Sequence, residues 1–572
     1  MPSHGDHRGT EYRFEQPSRT HPYDLGESCS LGDEGDNTPG EGHTPAKQNV
    51  FRTRFSQVLA NLAIHLLVLD LCMSFAFTTI VIAALLDAEV AEGKDELSIN
   101  NNEASWLGSI AYICQPVGSV MSGAIVEFFG RKWSMIIVNA PFLLGWVLYS
   151  VSNSLTMLYI TNVILGIGIG FMEAPIMTYI AETCQPDLRA LLTSLPGIMV
   201  QMSFFVVYLM GNVTTWRIAA GISASLPVIT ALYVTQMPET PIWLLSRGRT
   251  EDAERALCWL RGWVTPDVVK EEFNQLVTYN NATSKRNPVT SPMVQFSSLS
   301  RNQEDQGDKE NYINNEFHSN ATERGMRAVS TTPTLADSDS SHCNLEIWRE
   351  MLRPPTLRPL MLVLPYFLIQ QLAGMASIRP FMVHVFRELG LDDAAEWTTV
   401  GSAVIGIVGA ACLVSTVTWL GKRFLSLVSL AGNGASCLLL GIYSYVVLRP
   451  GGADQLSATW LPLSLIIVLS FCSSVMFEIP WMMLSEVFPF RTRGMASGFS
   501  AAMCYIFLFV ASKTYLDMEE SLNLHGVFFL FAAVNAIGFI FVYYRMPRME
   551  GRSLVEIEEY FSGQNKRGFL KK

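Results

Sequence analysis

Four charged residues lie inside long apolar segments of the chain, where a charge is costly and is therefore a functional signal. They are Asp70, Glu173, Arg379 and Glu478. A carboxylate in such surroundings could exchange a proton or attract a cationic solute. The alternative is structural: the arginine only neutralises one carboxylate, while the others reach water. We treat the four residues as candidates for cavity charge and ion coupling.

Two of the carboxylates occupy related positions in the two halves of the chain. Glu173 lies nine residues before Glu182. Glu478 lies eight residues before Glu486. At about 1.5 Å per residue, both are about 12–14 Å from one end of a helix, near the middle of a membrane. An unpaired arginine at that depth costs about 2.5–3.5 kcal/mol, so we predict that Arg379 pairs with Glu478.

The segments that hold these residues have the composition of membrane spans. Of 572 residues, 49% are hydrophobic and 16% are charged, and the mean hydropathy is positive. This composition is wrong for a soluble enzyme of this size. Runs of about 20 apolar residues recur along the chain, the length that a membrane helix needs. We predict twelve spans, at 56–87, 104–128, 133–152, 156–181, 190–211, 216–236, 357–386, 396–418, 424–447, 459–485, 494–515 and 524–545.

Polar segments divide the chain into five parts. They are a disordered N-terminal tail (1–50), a six-helix bundle (51–236), a loop with short helices and a disordered middle (237–356), a second six-helix bundle (357–545) and a C-terminal tail (546–572). Lysine and arginine concentrate in the loops on one side of the spans, and carboxylates concentrate on the other. Because basic loops stay in the cytosol, we predict that both tails and the long loop are cytosolic. The chain is then a multi-pass protein of the plasma membrane, with the lipid bilayer around it and no nucleic-acid partner.

Charged loop motifs recur in the two halves at an offset of about 300 residues, which indicates an internal repeat. Arginines and carboxylates at helix ends can form ion pairs that latch two bundles together on the cytosolic side. We therefore assign a cytosolic gate to Arg131, Lys132, Glu182, Arg189, Lys422, Arg423, Glu486 and Arg493. For the four basic residues that follow the second and eighth spans, fixing the topology is an equally good explanation.

Several longer motifs occur in a fixed order. They are Met237-Pro-Glu-Thr-Pro-Ile-Trp-Leu, Gln370-Gln-Leu-Ala-Gly, Ile479-Pro-Trp481 and Gly551-Arg-Ser-Leu-Val-Glu-Ile-Glu. With them, residues 55–562 resemble the sugar porters of the major facilitator superfamily, and most closely the insect facilitated trehalose transporters. The resemblance implies an all-α membrane protein with the major facilitator fold. Twelve transmembrane helices would form two six-helix bundles, with a cytosolic helical segment between them and a solute cavity lined by the first, fourth, seventh and tenth helices.

The resemblance also assigns residues to a sugar site. Gln370 and Gln371 stand where the family places sugar-binding amides, and Trp481 stands where its indole packs against the sugar. Glu239 joins the cytosolic gate by the same pattern. Single glutamines and tryptophans within a span are also common as helix-packing groups, which is the alternative for these residues.

Other sugar-site positions depart from the family pattern, and this leaves the function open. The family's asparagine positions fall on Ala376, Gly406 and Cys504, and its fifth-helix glutamine position falls near Gly197. The leading hypothesis is transport of a sugar (trehalose or a hexose) or a related polar solute by alternating access, facilitative or coupled to protons. The alternatives are a non-transporting sensor on the same scaffold, or a transporter for a cationic solute. The sequence shows no nucleophile, phosphate-loop or metal-ligand pattern, so we predict no enzyme, cofactor or metal.

Overall fold

The structure is a computed structural model that describes residues 50–87, 97–286, 351–391, 394–447, 460–489, 492–549, 552 and 554–562. The predicted N-terminal tail and the middle of the long loop lie outside the described residues, apart from Val50 at the start of the first helix. The helices before the loop are α1 Val50–Asp87, α2 Asn101–Phe129, α3 Arg131–Val151, α4 Leu155–Thr183, α5 Pro186–Val213, α6 Trp216–Ser223, α7 Ser225–Thr235, α8 Pro241–Ser246, α9 Thr250–Leu260 and α10 Pro266–Arg286.

The helices after the loop begin with a segment in several pieces. They are α11 Pro354–Leu372, α12 Met375–Ile378, a 3-10 turn Arg379–Phe381, α13 Met382–Glu388, α14 Ala395–Leu420, α15 Lys422–Val447, α16 Trp460–Val487, α17 Arg493–Lys513, α18 Tyr515–Arg545 and α19 Leu554–Ser562. Within the described residues, eleven helices are long and apolar enough to cross a membrane, or twelve if one bent pair counts as a span. The predicted twelve-helix fold is confirmed.

The bent pair is the seventh span, in which Pro354–Leu372 meets Met375–Glu388 at 52°. The bend follows from Gly374, whose φ of 125° is a conformation that other residues rarely adopt. The last span has a similar break: Asn523, with φ of 59°, interrupts α18. Residues 515–522 therefore form a short segment ahead of the twelfth span, which agrees with its predicted start at 524.

The repeat is visible in how the helices turn at one end of the molecule. Gly130 joins α2 to α3 with a φ of 91°, and Gly421 joins α14 to α15 with a φ of 78°. Each glycine is followed by two basic residues, in the order Arg-Lys or Lys-Arg. We call this end, which carries Arg131 and Lys422, the basic end. The opposite end, where α1 and α17 finish, is the acidic end.

Two helices of the first half approach closely through small residues. Gly118 of α2 faces Gly170 of α4, and a Cβ at Gly118 would lie only 3.0 Å from the Gly170 Cα. A Cβ at Gly166 would likewise collide with the backbone of Ala111. Small residues allow such backbone contact between membrane helices, where no hydrophobic effect drives association. The α2–α4 pair is therefore packed with its backbones in direct contact.

The apolar core is arranged differently at the two ends of the second half. A large cluster joins the first half to residues of the acidic end of the second half, such as Phe381, Val385 and Phe528. The basic end of the second half has its own cluster, which includes Val363, Met483 and the α19 residue Phe561. Helices α8–α10 pack separately around residues such as Leu257. Between the halves, α2 packs against α17 and α5 against α14.

Candidate functional site

A small polar cavity lies between the two halves. Its polar lining comes from α5, the bent seventh span, α14 and α16, and includes Gln201, Tyr208, Arg379, Ser402, Ser470 and Ser473. Three of these groups carry buried polar atoms without a hydrogen-bond partner among the described residues: Gln201 Nε2, Tyr208 Oη and Ser470 Oγ. Buried polar groups are nearly always hydrogen-bonded, so these atoms are suited to bind a polar solute in the cavity.

Helix α5 faces the second half with a stripe at helical spacing. Gly197, Gln201, Phe204 and Tyr208 follow one another at intervals of three or four residues, so they share one face. A Cβ at Gly406 of α14 would lie 2.5 Å from Gln201 Oε1. Glycine at 406 is therefore what allows the Gln201 amide to enter the cavity. The sequence analysis missed Gln201, although a glutamine one turn after Gly197 is a signal that could have found it.

Arg379 is the charged residue that lines the cavity, at the start of the 3-10 turn. Its guanidinium lies 3.9 Å from the ring centre of Phe204 in the first half, and 5.9 Å from the ring centre of Phe477 in the second half. The predicted ion pair with Glu478 is wrong: among the described residues, no carboxylate lies within ion-pair distance of Arg379. The bend after Gly374 places Arg379 toward α5, where a cation–π contact takes the place of a carboxylate.

Glu478 instead packs against the first half. A Cβ at Gly197 would lie 2.7 Å from the Glu478 Cδ, so the carboxyl group rests directly on the α5 backbone. One carboxyl oxygen, Oε1, is buried with no partner among the described residues. Glu478 does not line the small cavity, and a role in coupling stays a prediction.

Asp70 lies in the interior of the first half, away from the cavity lining. It is fully buried, and its Oδ1 accepts a hydrogen bond of 2.8 Å from Trp146 Nε1. The same indole packs edge-on against Phe77. This environment gives Asp70 a structural contact, while its Oδ2 is buried without a partner among the described residues, so its coupling role stays a prediction.

Glu173 connects three helices and both halves. Its carboxylate accepts 2.5 Å hydrogen bonds from Ser119 of α2 and from Tyr505 of α17. Tyr505 belongs to the second half, so this carboxylate bridges the halves near the middle of the molecule. The sequence identified Glu173 but not Ser119 or Tyr505, because nothing in the spacing of single residues links helices so distant in sequence.

The residues that the resemblance assigns to sugar binding form a group beside the cavity. Gln370 Nε2 donates to the Phe477 carbonyl at 2.9 Å, and Gln371 Nε2 donates to Cys504 Sγ at 3.0 Å. Trp481 packs edge-on against Phe367, with ring centres 5.2 Å apart. The two Oε1 atoms and the indole Nε1 are buried without partners among the described residues. Helix packing thus uses only part of these side chains, and their direct role in binding stays a prediction.

The predicted gate residues of the first half contact one another at the basic end. Arg131 pairs with Glu182 at 2.7 Å, and Glu239 accepts 3.0 Å hydrogen bonds from the backbone N–H groups of Arg131 and Lys132. Lys132 Nζ donates to the Thr235 carbonyl. Burial raises the pKa of Glu239, while the backbone N–H groups of Thr240, Lys132 and Arg131 oppose that shift.

The predicted gate residues of the second half likewise contact groups of their own half. Lys422 contacts Glu486, Arg423 donates to the Tyr543 carbonyl at 2.5 Å, and Arg493 donates to the Phe488 carbonyl at 3.3 Å. The side chain of Arg189 lies outside the described residues. These contacts join elements of one half, rather than the two halves as the sequence suggests, so a gate role for these residues stays a prediction.

At the acidic end, by contrast, the two halves are bonded directly. Ser105 donates to the Lys513 carbonyl at 2.6 Å, and Ser512 donates to the Gly108 carbonyl at 3.2 Å. Thr79 of α1 donates to the Arg379 carbonyl at 2.9 Å. The cavity is therefore closed toward the acidic end.

Two helical halves that meet at one end around a polar cavity define a membrane transporter of the major facilitator fold. The chain belongs to the family described as "Sugar (and other) transporter", which matches residues 71–306 and 315–561. It is 26% identical over 524 residues to the facilitated trehalose transporter Tret1 of Culex quinquefasciatus, covering 91% of this chain and 89% of that protein. It is 25% identical over 521 residues to Tret1 of Polypedilum vanderplanki, covering 90% and 89%.

Solved structures share the fold. The partially occluded inward-open conformation of the xylose transporter XylE from E. coli superposes with a TM-score of 0.62 at 16% identity, covering 87% of this chain and 100% of that one. The proton:xylose symporter XylE bound to 6-bromo-6-deoxy-D-glucose gives 0.61 at 18% identity, covering 89% and 100%.

Proposed function

We propose that the protein carries a sugar across the plasma membrane by alternating access, with the basic end in the cytosol. Membership of the sugar transporter family and the trehalose transporter relatives support this class of solute. The observation that carries the proposal is the Gln201 amide over Gly406. The family pattern expects an asparagine at position 406, and this chain supplies an amide to the same space from the opposite half. An amide both donates to and accepts from sugar hydroxyls.

The serines on α14 and α16 extend this polar surface. Ser402, Ser470 and Ser473 line the cavity, and Ser473 donates to Asn433 at 3.1 Å. Hydroxyl groups exchange donor and acceptor roles by rotation, which suits a ligand with several hydroxyls. In the proposed site, serines and one glutamine therefore take the place of the asparagines that the family pattern expects.

The test is uptake of labelled trehalose and glucose by liposomes containing the full-length protein. Gln201→Ala should lower uptake at least tenfold, because it removes the amide from the cavity. Gly406→Asn should be equally damaging, since its side chain collides with Gln201. The double variant, which restores the family arrangement, should recover part of the loss. Gln236→Ala, at an exposed glutamine of the basic end, is the matched control.

Two results would contradict the proposal. Full uptake by Gly406→Asn would show that Gln201 does not occupy this space. Failure of the wild type to move any sugar, together with stabilisation by sugar in thermal unfolding, would favour the non-transporting sensor instead.

A second candidate is transport of a hydroxylated anion, such as a sugar acid, and Arg379 is the observation that favours it. The guanidinium lines the cavity with an aromatic ring, rather than a carboxylate, as its neighbour. A fixed positive charge opposes a cationic solute, so the structure argues against that alternative. Arg379→Gln should abolish uptake of glucuronate while leaving trehalose uptake within a few-fold if this candidate is correct.

Proton coupling is proposed for Glu173, because this intramembrane carboxylate accepts a hydrogen bond from the opposite half. A proton on this carboxylate would weaken its role as an acceptor from Tyr505 and so loosen the bridge. Coupling requires sugar uptake to drive proton entry in wild-type liposomes and not in Glu173→Gln liposomes. Uptake without proton movement in the wild type would establish the facilitative alternative.

A further inference from the structure

Three side chains of types that can bind a metal ion lie close together at the acidic end, outside the cavity. His384 and Glu388 are four residues apart on α13, so they lie on one face of that helix. Glu519 comes from the first turns of α18. His384 Nε2 lies 3.6 Å from Glu388 Oε1 and 3.7 Å from Glu519 Oε2. One ligand atom from each residue lies within 4.8 Å of the other two.

The spacing of these atoms suits a shared metal ion better than direct bonding. Separations of 3.6 and 3.7 Å exceed a normal hydrogen bond. Two ligands at about 2.0–2.1 Å from a tetrahedral zinc ion are about 3.3 Å apart, which a small movement of these side chains would reach. The arrangement is therefore close to that of three protein ligands around one ion.

Glu519 has the surroundings of an oriented ligand. Its side chain is 10% exposed, and Tyr515 donates a 3.1 Å hydrogen bond to its Oε1, which leaves Oε2 directed at His384. Such an outer hydrogen bond is the usual means of fixing a ligating carboxylate. Tyr515 is itself held by stacking on Phe381, with ring centres 5.4 Å apart.

The charge balance of the cluster also favours a cation. Two carboxylates face a single imidazole, and the neighbouring Arg387 is in contact with the carboxylate of Glu396. His384 and Glu388 are 37% and 41% exposed, so an ion can enter from the solvent. A buried carboxylate beside a second one is unfavourable unless a positive charge accompanies them.

We propose that His384, Glu388 and Glu519 bind a divalent transition-metal ion, with zinc the best match to one imidazole and two carboxylates. Three protein ligands leave a fourth position for water. The ion ties α13 to the start of α18. Because α13 and the 3-10 turn before it pack against α1, bound metal fixes the part of the second half that contacts the first.

The experiment measures zinc binding by purified full-length protein in detergent, using competition with a coloured chelator. Histidines elsewhere, such as His4 and His7, can also take up zinc, so the informative quantity is the difference between wild type and variants. His384→Ala should lose one zinc ion per chain relative to the wild type. Glu388→Gln and Glu519→Gln should each lower the affinity for that ion at least tenfold, and Tyr515→Phe should lower it about tenfold.

His525→Ala is the matched control, because His525 lies on the same helix as Glu519 and packs against Tyr445 and Phe529. It should bind zinc as the wild type does. Zinc should also raise the unfolding temperature of wild type and control but not of His384→Ala.

The proposal is overturned if His384→Ala and wild type bind the same number of ions with the same affinity. Equal loss in His525→Ala would overturn it as well. Unfolding without metal shows whether each variant is folded, and the isosteric Glu388→Gln tests the site should His384→Ala fail to fold. The result does not depend on transport.

Discussion

The acidic and basic ends of the protein hold their helices together in different ways. At the acidic end, one apolar cluster continues from the first half into the second, and hydrogen bonds such as Ser105 to Lys513 cross between them. At the basic end, the described ion pairs join helices of a single half, as Arg131 and Glu182 do. The second half keeps a separate core there.

This difference indicates that the two halves can separate more easily at the basic end in this conformation. Opening the acidic end would expose a continuous apolar core and break the hydrogen bonds between the halves. At the basic end, each half stays compact when the halves separate, because the ion pairs and apolar packing described there lie within a single half. Alternating access requires that such a difference can be reversed, so contacts at the acidic end and in the middle should control the equilibrium.

The largest effect is expected from Gly108 at the acidic end. A Cβ there would lie 3.0 Å from Pro380 Cβ and 3.2 Å from Phe381 Cζ on the opposite half. Gly108→Leu should therefore wedge the halves apart and reduce uptake at least tenfold. Hydrogen exchange should increase around α13. Gly123 lies on the same helix, and a Cβ there would meet no atom within 4 Å, so Gly123→Leu is the control. Similar losses in both variants would show that α2 is sensitive to bulk in general.

A smaller effect is expected in the middle of the molecule. Tyr505→Phe removes the hydrogen bond that Tyr505 donates to Glu173 across the halves. A bond to a carboxylate is worth about 1.5–3 kcal/mol, so the balance between the two conformations should shift about tenfold or more. Hydrogen exchange at the two ends would measure this shift.

Tyr366→Phe provides the comparison for that experiment. Tyr366 donates a 2.8 Å hydrogen bond to the neutral hydroxyl of Ser426 within the second half, so the change removes a hydrogen bond of a buried tyrosine without affecting contact between the halves. It should lower thermal stability and leave the ratio of exchange at the two ends unchanged. An equal shift in both variants would mean that the Tyr505 bond has no special role.

The sequence was sufficient for the fold because its signals are local. Apolar length predicted the spans, and the paired motifs around Gly130 and Gly421 predicted the repeat. The predicted spans left residues 516–523 outside both neighbours, although the structure has a short helical segment there that ends at Asn523. Contacts between distant helices were not predictable in this way. The bend at Gly374 sent Arg379 to Phe204 instead of Glu478, and bend angles are not encoded in hydropathy.

The site was predicted only in part for the same reason. The spacing of His384 and Glu388 is visible in the sequence as one helical turn, but nothing there places Glu519 beside them. Gln201 is likewise an ordinary glutamine until the glycine at 406 shows the space that it fills. The role of such a residue depends on a glycine beside it rather than on its own type, so it is found only in the structure.

At the basic end, Glu182→Gln distinguishes a pair within one half from a latch between halves. The side chains of Arg131 and Glu182 are only 14% and 13% exposed, so breaking the pair should destabilise the protein by about 1–3 kcal/mol. Uptake at saturating sugar should stay within about twofold, since the contact is present in the first half alone. Glu251→Gln breaks an exposed pair with Arg255 and should change neither quantity. A large change in uptake without a change in stability would restore the latch hypothesis.

The smallest effect is expected from Glu239, through the pH dependence of stability. Burial raises its pKa above the ordinary value of about 4.3, so the folded state holds this proton more tightly than the unfolded chain does. Its contribution to stability is therefore complete below about pH 4 and is lost as the pH rises through the folded-state pKa. Glu239→Gln should flatten the profile of unfolding temperature above about pH 4, while Glu251→Gln should leave it as in the wild type. A profile that becomes steeper in Glu239→Gln would mean that the backbone N–H groups of Arg131 and Lys132 outweigh burial. The basic end would then be held by the charged carboxylate, and acidification would loosen the junction of α2, α3 and the segment before α8.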